Sequence, residues 1–171
     1  PDHRKYIDAF RDGDDNPETD LDDKARRGEL DECIEDLYRL YPDRVVIPTS
    51  GTRDATVSIK HRWLNLGWSY CPTNVPVYQK YKFAFALLNP NTEQPARIFI
   101  MDDVHPSDWH QGSPKEYTSK ITLDKVTAGN YTWALAIVDT TKGNSPAIDL
   151  SVKTSSLTSG GWLRLGKINV K

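Results

Sequence analysis

The chain has 171 residues, enough for about one domain, and it is 37% hydrophobic and 27% charged. No apolar run approaches the ~18 residues of a membrane span, and a formal net charge of -2 gives no general electrostatic pull towards nucleic acid. Because the first residue is Pro1 and not Met, the chain is expected to be a fragment or a processed product, with any signal peptide out of view.

Charge divides the sequence near residue 44. Residues 1–44 carry 15 acidic against 8 basic side chains, and residues 45–171 carry 9 against 14. In the acidic part, Leu30, Cys33, Ile34, Leu37, Leu40 and Tyr41 recur at spacings of three and four, which places them on one face of a helix. Gly28 separates that helix from a turn around Leu21 to Arg27, and Pro42 ends it. Val45 to Pro48 then reads as a short extended piece and Thr49 to Thr52 as a loop. An acidic helical arm or linker over 1–48 and a β-sandwich module over 49–171 are therefore expected.

Seven strands follow, divided by Gly, Pro, Asn and Asp clusters. Alternation marks Val57, Ile59, His61 and Trp63 in the first, and Tyr81, Phe83, Phe85 and Leu87 in the second. Ala96 to Met101 forms the third. Tyr117, Ser119, Ile121 and Leu123 mark the fourth, and Tyr131, Trp133, Leu135 and Ile137 the fifth. Ala147 to Val152 and Leu165 to Val170 complete the set. The predicted class is mainly β, an antiparallel sandwich with a helical N-terminal arm, and nothing in the pattern favours a Rossmann or barrel fold.

Asp12, Asp14, Asn16, Glu18, Asp20 and Asp23 fall at positions 1, 3, 5, 7, 9 and 12 of a loop with EF-hand spacing, the arrangement that offers oxygen ligands to calcium. Pro17 stands where the sharp turn requires Gly, and Asp23 replaces the terminal Glu. A solvated acidic linker is the alternative. Cys33 and Cys71 are 38 residues apart and either form a disulfide, stabilising by roughly 3 to 4 kcal/mol, or leave Cys33 as a small buried hydrophobe. His61, His105 and His110 show no metal spacing. Asp102, Asp103, Asp108 and Glu116 are the carboxylates from which a glycosidase pair would have to come. No nucleophile elbow, phosphate loop or dinucleotide fingerprint accompanies them.

Aromatic placement is the most informative feature. Trp68, Tyr70, Trp109 and Trp162 fall in predicted connections, where a flat ring can stack on the C–H face of a pyranose while Asp108, His110 and Gln111 hydrogen-bond its hydroxyls. The alternative is that these rings fold back to close the ends of the sandwich.

Four motifs occur in order: Trp63-Leu64-Asn65-Leu66-Gly67; Asp103 with Trp109-His110-Gln111-Gly112; Gly129-Asn130-Tyr131-Thr132 running to Asp139; and Gly161-Trp162-Leu163-Arg164-Leu165-Gly166 running to Val170. With these, Trp63 to Lys171 resembles the carboxy-terminal β-sandwich that follows the barrel in many secreted bacterial glycoside-hydrolase-like proteins. The resemblance implies an immunoglobulin-like sandwich, an extracellular location and an accessory role beside a carbohydrate-active enzyme. Trp68, Tyr70 and Gln111 depart from the residues usual at those places. The expected function is that of a noncatalytic carbohydrate-binding module, with a polysaccharide and an attached catalytic domain as partners and calcium as the only cofactor with a candidate ligand set. The rival expectation is a structural sandwich that packs on a catalytic barrel and binds no sugar.

Overall fold

The computed structural model describes residues 38–67 and 69–171. Among them the strands are β1 (Leu40–Val46), β2 (Ser50–Gly51), β3 (Thr56–Asn65), β4 (Tyr81–Leu88), β5 (Pro95–Ile100), β6 (Lys115–Thr122), β7 (Gly129–Asp139), β8 (Ser145–Ile148) and β9 (Leu163–Val170). β1, β3 and β6 form a three-stranded antiparallel sheet with β3 at the centre. The second sheet runs β2-β9-β7-β4-β5, and β8 pairs with the far half of β7. The mainly β expectation holds, and all seven expected strands are present, although β8 covers 145–148 and not 147–152.

Two local expectations are corrected. Leu40 and Tyr41, assigned to the end of a helix, lie in β1, which pairs with β3 along Leu40↔Asn65 to Val46↔Lys60. Pro42 does not end a helix there; it sits on an edge strand at a bulge, where its missing N–H is tolerated. Val45 and Val46, expected as extended, close the same strand, and residues 1–37 of the predicted arm lie outside the described residues. Ser50–Gly51, expected as loop, pairs in parallel with Asn169–Val170. Two residues are too short to show alternation. The chain passes close to the core here: a Cβ on Gly51 would stand 2.7 Å from Leu123 Cδ1.

One core lies between the sheets. Ile59 and Trp63 from β3 and Ile121 from β6 meet Phe83, Phe85 and Leu87 from β4 and Trp133, Leu135 and Ile137 from β7 in one buried cluster. β4 and β7 are buried on both faces. Their outward residues Ala84, Ala86, Leu88, Ala134, Ala136 and Val138 form a second cluster with Trp162. Small side chains leave room for that indole. Above them Glu93, in the β4–β5 turn, meets Arg164 of β9 through Nε at 2.5 Å and Nη2 at 3.0 Å, and this contact lowers the carboxyl pKa of Glu93.

At the start of β7, the Tyr131 hydroxyl donates to the Thr127 carbonyl at 2.7 Å. This bond ties the loop between β6 and β7 back onto the strand that follows it, the arrangement called a tyrosine corner in Greek-key sandwiches.

Candidate functional site

The aromatic connections converge on Asn65 at the end of β3. Its Oδ1 accepts from the backbone N–H of Arg39 at 2.9 Å and of Gly67 at 2.8 Å. Its Nδ2 donates to the carbonyls of Ser69 at 2.8 Å and Trp109 at 3.0 Å. All four bonding capacities of one buried amide are used, so Asn65 joins the approach to β1, the β3–β4 connection and the β5–β6 connection. Thr73 adds a further tie by accepting from the Ser107 N–H through its hydroxyl at 3.2 Å.

Trp109 does not face solvent. It is fully buried, stacks on Trp63 with ring centroids 4.3 Å apart and planes at 10°, and donates through Nε1 to the Tyr117 hydroxyl at 2.7 Å. A ring packed on both its face and its polar edge closes the end of the core. Trp162 is buried as well, at 3% exposure, on the outer side of the other sheet. Neither can stack on a saccharide, which corrects the expectation for both, and the structure sets them in two unconnected places.

Tyr70 and His110 are brought together, with ring centroids 5.9 Å apart. Tyr70 is 39% exposed, and Asp108, His110 and Gln111 are exposed beside the buried Trp109. The same connection presents two residues that sequence reasoning missed. In a 3-10 turn over Pro76–Tyr78, Val77 is 66% and Tyr78 42% exposed. Tyr78 stacks on Tyr81 at 6.3 Å, and Lys80 Nζ lies 5.1 Å from the Tyr81 ring centroid. The available signal was the pair Val77-Tyr78 directly after Pro76, in the same connection as Trp68 and Tyr70. Trp68 and the calcium candidates Asp12, Asp14, Asn16, Asp20 and Asp23 lie outside the described residues.

Cys71, in the same connection, is buried with its thiol free, and its candidate partner Cys33 lies outside the described residues. Burial pushes its pKa up to about 12, which keeps it protonated and unreactive. Among the described residues no group of three or more His, Cys, Asp or Glu side chains could hold a metal ion. Asp102 is a surface residue whose carboxylate stands 3.8 Å from Lys82 Nζ.

No protein-family model matches the chain, and no curated protein matches it in sequence. Among solved structures, it is similar to the CARDB domain of a Pyrococcus furiosus protein in complex with di-metal ions, at 11% identity and TM-score 0.40, over 78% of this chain and 93% of that one. A Niemann-Pick type C2 protein from the Japanese carpenter ant is similar at 8% identity and TM-score 0.38, over 78% and 92%. A mutant β-glucosidase from Listeria innocua in complex with laminaribiose is similar at 9% identity and TM-score 0.41, with 78% of this chain covering 16% of that enzyme.

Proposed function

We propose that the chain is a noncatalytic, immunoglobulin-like β-sandwich module of a secreted glycoside hydrolase, and that it holds a polysaccharide at the β3–β4 connection. The observation that carries this reading is the exposure of Tyr70, Val77 and Tyr78 on one connection, beside His110. Trp68 lies within the same connection in sequence. A tyrosine offers a saccharide an apolar face and a polar edge together, and His110, Asp108 and Gln111 supply hydrogen bonds. Binding of this kind acts by proximity, raising the effective concentration of polymer at an attached catalytic domain even when its own affinity is weak.

A second reading has an observation in its favour. Trp109 and Trp162 are structural, and Val77 and Tyr78 are also what a sandwich would offer a neighbouring domain if it served only as a buttress. Affinity gel electrophoresis across neutral soluble polysaccharides, with a parallel assay for released reducing sugar, separates the readings. Binding is expected as retardation in at least one gel that disappears in Tyr70→Ala/Tyr78→Ala. Uniform mobility in every gel supports the buttress. Release of sugar overturns both.

A further inference from the structure

The outer face of the three-stranded sheet carries a feature that the aromatic connections do not use. Strand register sets Arg44 of β1 opposite Arg62 of β3, and Arg62 opposite Glu116 of β6. Lys60 lies two residues along β3, opposite Val46 and Thr118. Like charges in directly paired positions weaken a sheet. The pairing depends on the bulge between Pro42 and Arg44: Asp43 is the inserted residue, and the insertion turns Arg44 to the face that holds Lys60 and Arg62.

Among the described residues, compensation of these cations is incomplete. The buried Asp43 carboxylate stands 3.5 Å from Arg62 Nε. Arg44 Nε is shielded from solvent and meets no acceptor among the described residues, a condition that costs free energy. Arg44, Lys60, Arg62, Glu116 and Thr118 line a cleft of about 310 Å³, at the small end of the range for ligand sites.

We propose that this cleft binds a carboxylate-bearing sugar unit, a uronate residue of an acidic polysaccharide. Arg44 and Arg62 bring to the cleft planar guanidinium groups of the kind that pairs with a carboxylate, Arg62 being shared with Asp43, and Lys60 adds a third positive charge. Glu116 and Thr118 provide an acceptor and a hydroxyl for ring hydroxyl groups. A bare sulfate would satisfy the cations but has no hydroxyl to donate to Glu116. Because the site is built on strands, it stands or fails separately from the aromatic connection.

The test is affinity electrophoresis at low salt in polygalacturonate, in its methyl ester and in dextran sulfate. A chain of net charge -2 has no general attraction to a polyanion. Retardation is expected in polygalacturonate and not in the ester. Affinity should fall about tenfold or more in Arg44→Gln/Lys60→Gln, whose fold is checked by circular dichroism. The Tyr70→Ala/Tyr78→Ala variant should keep this retardation, as should Lys153→Gln/Lys171→Gln, which removes two exposed charges elsewhere. Equal mobility in the acid and ester gels would overturn the proposal. So would retardation by dextran sulfate alone, or equal loss in the Lys153→Gln/Lys171→Gln control.

Discussion

His61 shows how far a single side chain is fixed by its surroundings. The ring is buried between Phe83, at 5.3 Å, and Tyr117, at 5.1 Å, stacked on both. Trp63 Nε1 donates to its Nδ1 at 2.8 Å, so the neutral tautomer carries its proton on Nε2 and donates to Ser119 Oγ at 2.8 Å. Burial lowers its pKa from the ordinary 6.5 to about 4. The unfolded chain therefore takes up this proton first as the solution is acidified. The stability contributed is complete above about pH 6.5 and is lost as pH falls towards 4, by about 3 kcal/mol in all. Urea unfolding at a series of pH values should show that decline, and His61→Phe should flatten it; a wild-type curve level between pH 6.5 and 4 contradicts the assignment. Asn65 is the other residue on which much depends. Asn65→Ala strands two N–H donors and two carbonyls and should cost roughly 2–4 kcal/mol, measured by the shift in unfolding midpoint.

At the scale of elements, the strands of the sandwich were legible because side chains alternate with period two. Ile59, His61 and Trp63 of β3 are buried while Ser58 and Lys60 are exposed, as the pattern required. Only the end of β1 was legible, in the extended pair Val45 and Val46; its start was not, because Leu37, Leu40 and Tyr41 continue a helical spacing and a strand containing both a proline and a bulge breaks its own alternation. The aromatic positions were only half legible. A place in a connection says nothing about where a ring points: Tyr70 is exposed while Trp109 and Trp162 are buried. Their burial predicts stability effects without binding effects. Trp162→Ala, which empties the space over Ala84, Ala86, Ala134 and Ala136, should cost roughly 3–5 kcal/mol while leaving any saccharide affinity of the folded protein unchanged; reduced affinity at full stability would contradict this. Gly161, in the turn into β9, has φ +92, and a Cβ there would stand 3.1 Å from Pro146 Cβ. Gly161→Ala should lose about 1–3 kcal/mol, read from thermal unfolding.

For the whole molecule, the two sheets bring the β3–β4 and β5–β6 connections to one end. Tyr81 at the start of β4 pairs with Asp139 at the end of β7, whereas the Tyr131 corner lies at the other end of β7. Closure of the core by Trp109 and ties through Asn65 hold these connections on a fixed base, and they leave Tyr70, Val77 and Tyr78 outward. The most direct measurement is an NMR titration of the labelled chain with an oligosaccharide of the neutral polymer that retards it most. The account predicts amide shifts concentrated in residues 69–81 and 105–113, with the Tyr131 corner and the Trp162 cluster unmoved. Shifts absent from both connections, or centred on the far end of the sandwich, would contradict it.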